Sequence, residues 1–166
     1  MPPAAAMPVT LRKVEADDEG FLCGVYASTR WEELGPTGWS DGEKVAFLES
    51  QFRAQHAWYA ENFVDAAFDV ILVRDVPAGR LYVRRAPDEI RLVDIALLPG
   101  FRGSGIGTAL LRELQDEAAT ARKPLRIHVE KMNPAARLYE RLGFRKIEDR
   151  GVYDFLEWRP SAEAVS

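Results

Sequence analysis

The segment formed by residues 99–108 constrains the fold more than any other part of the sequence. Four of its ten residues are glycine, at positions 100, 103, 105 and 107. It follows a strand-like run, residues 89–98, and precedes a helix whose apolar stripe begins at Ile106. Small residues let a backbone approach a ligand closely, and the first N–H groups of a helix have no partner within it. This strand–loop–helix unit therefore predicts an anion site, most naturally for phosphate.

Two common phosphate loops do not fit this segment. A P-loop needs a lysine followed by serine or threonine, and the segment has no lysine. The dinucleotide fingerprint needs a third glycine where Thr108 stands. The pattern that remains is Arg102-x-x-Gly105-x-Gly107, directly after a strand.

The rest of the chain alternates helices with strands. Strands are predicted at residues 9–14, 68–74, 80–85, 89–98, 125–130, 144–147 and 152–158. Helices are predicted at 21–30, from Ser40 or Asp41 to about 62, from 106 to about 123, and from a cap at Asn133 to just before Gly143. Residues 35–38 are predicted as a loop, and residues 77–79 as a hairpin turn. We expect one mixed α/β domain over residues 8–160, after a disordered terminus at 1–7 and before a tail at 161–166.

Composition excludes several classes of protein. The chain has 166 residues, 47% hydrophobic and 29% charged, as in an ordinary globular domain. A net charge of −4 argues against a nucleic-acid partner. Cys23 is the only cysteine and the two histidines lie far apart in sequence, so we expect no disulfide and no metal site. No apolar run approaches the roughly 18 residues of a membrane span, and no secretory signal opens the chain, so we expect the cytoplasm and no membrane.

A second motif follows in residues 133–144, where Asn133, Ala136, Tyr139 and the pair Gly143-Phe144 stand in one helix-sized segment. Together with the glycine loop, this segment resembles the GNAT superfamily of acetyl-CoA-dependent N-acetyltransferases. The close match covers residues 89–144. The resemblance implies a single domain with a central, mostly antiparallel sheet that splays at the cofactor site and is flanked by helices.

The resemblance also implies which residues hold acetyl-CoA. The backbone amides of the loop would bind the pyrophosphate, with the Thr108 hydroxyl as a further donor. The strand before the loop would supply backbone contacts to the pantetheine, and an N–H near Leu97 would polarise the thioester carbonyl. Asn133 would reach the pantetheine arm. The implied binding residues are Ile95, Ala96, Leu97, Arg102, Gly103, Ser104, Gly105, Ile106, Gly107, Thr108, Asn133 and Tyr139.

Matched to the family's tyrosine, Tyr139 would protonate the departing thiolate, since a phenol is protonated at neutral pH. The alternative is a packing role on an amphipathic helix. The general base is left open. The first candidate is Asp94, which could instead be a carboxylate that is ion-paired or lies at the rim of the site. Glu89 is another candidate. His128 is a third, which could instead have a structural role, and water could serve as the base in place of all three.

We therefore expect direct transfer of acetyl from acetyl-CoA to a primary amine of a small molecule or peptide. The alternatives are a non-catalytic acyl-CoA-binding module and a transferase of a longer acyl group. Aromatic and acidic residues of the first two helices and of the loop between them either clasp a cationic acceptor or fill the core; they are Tyr26, Trp31, Glu32, Glu33, Trp39 and Tyr59. The acceptor's identity and a homodimer stay open.

Overall fold

Seven strands form a single sheet in this computed structural model, which describes residues 8–161. The terminus expected at 1–7 and the tail expected beyond Ser161 lie outside the described residues. The strands are β1 Val9–Lys13, β2 Ala67–Val73, β3 Val76–Arg85, β4 Ile90–Leu97, β5 Leu125–Glu130, β6 Arg145–Arg150 and β7 Tyr153–Trp158. The helices are α1 Glu19–Arg30, α2 Asp41–Asn62, α3 Ile106–Ala121 and α4 Ala136–Arg141, with short 3-10 turns at Ala16–Asp18, Trp31–Thr37 and Pro99–Phe101.

The sheet order is β1-β2-β3-β4-β5-β7-β6, and every neighbouring pair is antiparallel except β4 and β5. The parallel ladder is short and joins only Ile90–Leu125, Arg91–Arg126 and Leu92–Ile127. Both strands continue beyond it, β4 to Leu97 and β5 to Glu130, without pairing to each other. The sheet therefore splays next to the glycine loop, which confirms the predicted fold class.

Each face of the sheet is covered by its own pair of helices. On one face, buried side chains of α3 and α4 pack on the strands in a cluster that includes Ile106, Leu111 and Tyr139. On the other face, α1 and α2 meet through Leu22, Tyr26, Leu48 and Phe52. Each fully buried leucine or isoleucine stabilises the fold by about 1.5–3 kcal/mol.

Helix α2 begins where the sequence predicts. The Ser40 hydroxyl accepts from the Glu43 N–H, and the Glu43 carboxylate accepts from the Ser40 N–H, each at 3.2 Å. This reciprocal pair satisfies two donors at the helix start. Of the large apolar residues along α2, Leu48 and Phe52 are buried whereas Val45 and Trp58 are exposed.

The predicted turn of the β2–β3 hairpin is wrong. The chain turns at Arg74 and Asp75, whose φ angles are 51° and 66°. A two-residue turn with positive φ at both positions is of type I′, and its twist matches the twist of the two strands that it joins. Neither residue is glycine or asparagine, so the usual sequence signal is missing. Residues 77–79 instead lie within β3, beside an irregularity in its register with β2. The predicted loop at 35–38 also differs, because it belongs to the 3-10 turn Trp31–Thr37 and its end at Gly38.

Gly79 allows β3 and β4 to approach closely, and this contact generates a prediction. A Cβ atom there would lie 2.1 Å from the Ala96 carbonyl oxygen, a backbone atom that cannot move aside. We expect Gly79→Ala to lower the free energy of unfolding by about 1–3 kcal/mol in urea denaturation. In α1, Gly24→Ala is the matched control, because its Cβ meets nothing within 4 Å. That control should gain about 0.5–1 kcal/mol. Equal stabilities for the two variants would contradict the close approach.

Candidate active site

The glycine loop presents a row of unused backbone donors. Gly103 and Gly105 have φ angles of 73° and 85°, a region open to glycine. Within the described chain, the N–H groups of residues 103–108 have no acceptor, and the first helical bond runs from Ala109 N–H to the Gly105 carbonyl at 3.0 Å. The predicted phosphate-binding amides that are free are therefore those of residues 103–108. The N–H of Arg102 differs, because it donates to the Pro99 carbonyl at 3.3 Å.

The side chain of Arg102 turns back towards the protein. Its Nε donates to the Leu97 carbonyl at 2.9 Å, and its Nη2 donates to the Ser28 hydroxyl at 3.1 Å. Arg102 thus connects the glycine loop, the end of β4 and the last turns of α1. The Ser104 hydroxyl also serves the loop itself, since it donates to the Phe101 carbonyl at 2.9 Å.

The register of β4 determines which of its backbone groups face the gap. Leu98 N–H donates to the Ala78 carbonyl at 2.8 Å, which makes these residues a hydrogen-bonded pair. Along an antiparallel ladder, hydrogen-bonded pairs alternate with pairs that exchange no hydrogen bonds. Ala96 therefore directs its N–H and carbonyl to β3, whereas Ile95 and Leu97 direct theirs towards β5. Because Arg102 occupies the Leu97 carbonyl, the Leu97 N–H and both backbone groups of Ile95 are available in the gap.

Tyr139 lies in the core beside this gap. Its side chain is buried and makes an edge contact with Phe144, with ring centroids 5.5 Å apart. The hydroxyl has no hydrogen-bond partner among residues 8–161. Burial raises the pKa of Tyr139, and the charge of Asp94 raises it further, so the phenol holds its proton at neutral pH. Tyr139 belongs to the same buried cluster as Ile127 and Val129 of β5, and Ile95 and Leu97 of β4 pack against that cluster.

Asn133 lies in a turn before α4. Its Oδ1 accepts from the Ala135 N–H at 2.8 Å, and the helix begins at Ala136. Asn133 was predicted to be the N-cap of this helix, but the N-cap is Ala135, two residues later. Gly143 follows the end of α4 with a φ of 93°, in agreement with the predicted stop.

Asp94 is the ion-paired carboxylate that the sequence analysis gave as an alternative. Its Oδ2 accepts from Arg80 Nη2 at 2.6 Å and from the Tyr59 hydroxyl at 3.1 Å. Arg80 is almost completely buried, and its Nη2 also donates to Gln55 Oε1 at 2.9 Å. Arg80 was not predicted from the sequence, because its alternation with Leu81 and Val83 places it on the other face of β3, where an arginine is expected to face solvent.

The two other candidate bases lie in separate ion-pair networks. Glu89 precedes β4 at the end remote from the glycine loop, and it bonds with Arg91 and Arg126, each at 3.0 Å. His128 stacks on Phe155 with ring centroids 4.5 Å apart. Its Nδ1 lies 3.3 Å from Arg91 Nη1, and its Nε2 lies 2.5 Å from Arg150 Nη1. Burial and these two arginines lower the pKa of His128. Both ring nitrogens are therefore engaged away from Tyr139.

Two aromatic residues of the predicted acceptor side, Tyr26 and Trp31, face cationic side chains of the protein itself. The Tyr26 ring faces Arg30 at 5.8 Å and Arg80 at 5.9 Å, and the Trp31 ring faces Lys44 at 5.3 Å. These rings already contact the protein's own cations, which favours the core interpretation over a clasp for a cationic acceptor. Arg30 also binds Glu130 through two bonds of 3.0 and 2.7 Å, which joins α1 to the end of β5.

Residues 8–161 contain no group of three or more His, Cys, Asp or Glu side chains suited to a metal ion. Within the same range, none of the helices has the length and apolar character needed to cross a membrane.

Comparison with known proteins identifies the family. The model of the acetyltransferase (GNAT) domain matches residues 54–146, which is more than half of the chain. No curated protein sequence matches. The PaiA N-acetyltransferase of Thermoplasma acidophilum, solved with coenzyme A, superposes with a TM-score of 0.68 at 17% identity, over 92% of this chain and 99% of that one.

Two further structures agree on the fold. An acetyltransferase from Thermus thermophilus has a TM-score of 0.63 at 19% identity, over 91% of this chain and 96% of that one. The ribosomal-protein-S18-alanine N-acetyltransferase of Escherichia coli has a TM-score of 0.62 at 21% identity, over 93% and 95%. On the strength of the matched domain model, the chain belongs to the GNAT acetyltransferase family and is an N-acyltransferase whose donor is acetyl-CoA.

Proposed function

We propose that this enzyme transfers the acetyl group of acetyl-CoA directly to a primary amine of a small molecule or peptide. The observation that carries the proposal is the row of unpartnered N–H groups at residues 103–108, at the head of the gap between β4 and β5. Direct transfer is favoured because Cys23 packs against the α1–α2 core and burial raises the pKa of its thiol. A thiol in that state is a poor nucleophile.

The free backbone donors fit the parts of acetyl-CoA in order. The amides of residues 103–108 and the dipole of α3 would hold the pyrophosphate, with the Thr108 hydroxyl beside them. The backbone groups of Ile95 would bond to the pantetheine amides as a strand would. The Leu97 N–H would polarise the thioester carbonyl, where negative charge develops during attack. The Asn133 side-chain amide would reach the pantetheine arm through its Nδ2.

Tyr139 is the proposed general acid. Its hydroxyl is protonated, has no partner in the described chain and lies beside the gap, so it can give its proton to the leaving sulfur. Asp94 is the proposed base, because it precedes Ile95 of the gap on β4 and its Oδ1 accepts no hydrogen bond from residues 8–161. Glu89 and His128 are engaged with arginines elsewhere.

The first prediction concerns the ligand itself. In titration calorimetry we expect acetyl-CoA and CoA to bind with a Kd on the order of micromolar. ATP and NAD should give no heat, because the loop lacks their fingerprints. Equal binding of ATP would contradict the assignment. The acceptor is then sought by thiol release with 1,4-diaminobutane, 2-phenylethylamine, L-lysine and a peptide that begins with alanine. The peptide is included because the Escherichia coli neighbour is a ribosomal-protein-S18-alanine N-acetyltransferase.

The second prediction tests the phosphate loop. Gly107 is the second residue of α3 and a Cβ there meets open space, so Gly107→Trp should fold while it covers the free amides. We expect its affinity for CoA to fall at least about tenfold, or 1.4 kcal/mol. Gly20→Trp is the matched control, since Gly20 is the second residue of α1 and is equally open. Unchanged affinity in the Gly107 variant would refute the loop assignment.

The third prediction tests the acid. Tyr139→Phe keeps the ring and its Phe144 contact but removes the hydroxyl. We expect kcat to fall about 100-fold while the Kd of CoA stays within about twofold, because general acid catalysis typically contributes 10²–10⁴. Tyr153→Phe on β7, a half-exposed tyrosine, is the control and should keep its kcat. A Tyr139→Phe enzyme as fast as its parent would assign the proton to another group.

A further inference from the structure

The two carboxylate oxygens of Asp94 have different surroundings. Oδ2 accepts two hydrogen bonds, from Arg80 Nη2 at 2.6 Å and from the Tyr59 hydroxyl at 3.1 Å. Oδ1 accepts none from residues 8–161, and it is not among the buried polar atoms that lack a partner. The side chain as a whole is 17% exposed. One oxygen is thus anchored and the other is accessible.

Arg80 can hold this carboxylate in one place because it has little freedom to move. Its side chain is 4% exposed, and a buried guanidinium is strongly destabilising unless it is paired. The pairing groups come from two other elements, Asp94 from β4 and Gln55 from α2. Its plane also lies over the Tyr82 ring, 5.2 Å from the centroid. Any rotation of Arg80 would break the ion pair and the bond to Gln55 together.

Tyr59 supplies the second anchor from the same helix as Gln55. The two residues are one turn apart on α2, so one face of the helix reaches both Arg80 and Asp94. The Tyr59 ring contacts Tyr82 and Phe63 edge-on, with centroids 5.9 and 6.1 Å apart, which limits its rotation. Burial and the Asp94 charge raise the pKa of Tyr59, so its hydroxyl donates and does not ionise.

The backbone also contributes to the position of Asp94. The register between β3 and β4 shifts at this point, since Tyr82 pairs with Asp94 while Val83 pairs with Leu92. Val93 is the extra residue of a bulge, and bulges redirect the side chains beside them. Asp94 therefore projects towards α2 on one side of the sheet, next to Ile95 at the edge of the gap.

We propose that Tyr59 and Arg80 are positioning residues, which hold Asp94 by Oδ2 so that Oδ1 is free to take a proton from the acceptor amine. This inference rests on the proposed function. Neither residue belongs to the glycine loop or to the segment around Tyr139. Their role would be to keep one oxygen in a fixed place, since a displacement of about 1 Å can cost 100-fold in rate.

Asp94 and Tyr139 together account for every proton that moves during the transfer. The acceptor ammonium gives one proton to Asp94 Oδ1, and its nitrogen lone pair then forms the C–N bond. The C–S bond breaks, its electron pair goes to sulfur, and the sulfur takes the Tyr139 hydroxyl proton. The second nitrogen proton restores Tyr139, the third remains in the amide, and Asp94 releases its proton to water.

The test is a double-mutant cycle, with Tyr59→Phe, Asp94→Asn and both together. The reaction is thiol release from acetyl-CoA with the fastest of the four amines named above. We expect kcat to fall about 100-fold in Asp94→Asn and about tenfold in Tyr59→Phe. The double variant should match Asp94→Asn, because a residue that acts only through Asp94 loses its effect when the carboxylate is gone. The Kd of CoA should stay within about twofold in all three.

Tyr26→Phe is the matched control. Its hydroxyl lies on the same face of the sheet but bonds to Gln51 at 3.3 Å, so kcat should not change. Arg80→Lys keeps the charge and should retain more activity than Arg80→Met. Tyr59→Phe introduces no unpaired charge, so it is informative even if Asp94→Asn fails to fold.

The outcomes separate the two proposals. An unchanged kcat in Tyr59→Phe, or additive effects in the double variant, would overturn the positioning role while the acetyltransferase assignment stands. A parent enzyme that binds acetyl-CoA but acetylates none of the four amines would overturn the proposed acceptor class, and the role of Asp94 with it.

Discussion

The interrupted ladder between β4 and β5 is the constraint on which the other features depend. Unpaired backbone groups inside a sheet are costly, because buried N–H and carbonyl groups need partners. Here each strand keeps a full partner on its other side, β3 for β4 and β7 for β5. The gap can therefore open without loosening either half of the sheet. What it exposes is a strip of backbone that a polar, extended molecule can pair with.

The charges around the gap follow from the same arrangement. On the side of the sheet that faces α1 and α2, arginines neutralise carboxylates across different elements, as in Arg80 with Asp94 and Arg30 with Glu130. Most of the charge near the gap is therefore already compensated. Among residues 8–161, the groups without a partner at the gap include one oxygen of Asp94, the Tyr139 hydroxyl and backbone groups of β4 and of the glycine loop.

Local patterns in the sequence were sufficient to predict several elements of the fold. The glycine loop, the Ser40 cap and the strand Leu125–Glu130 depend on neighbours within a few residues, and the structure has them where the sequence predicts. Partners distant in sequence could not be predicted in this way. The bond between Tyr59 and Asp94 depends on how α2 crosses the sheet, and the arginines beside His128 come from two other strands. The turn at Arg74 and Asp75 was missed for another reason: arginine rarely adopts positive φ, and the turn lacks the glycine that usually marks it.

The last turns of α1 contact the strands on both sides of the gap. Arg102 donates hydrogen bonds to Ser28 of α1 and to the end of β4, and Arg30 of α1 binds Glu130 at the end of β5. The ends of the two strands are thus also connected through a helix that belongs to neither strand. A displacement of α1 would act on both strand ends through these two contacts.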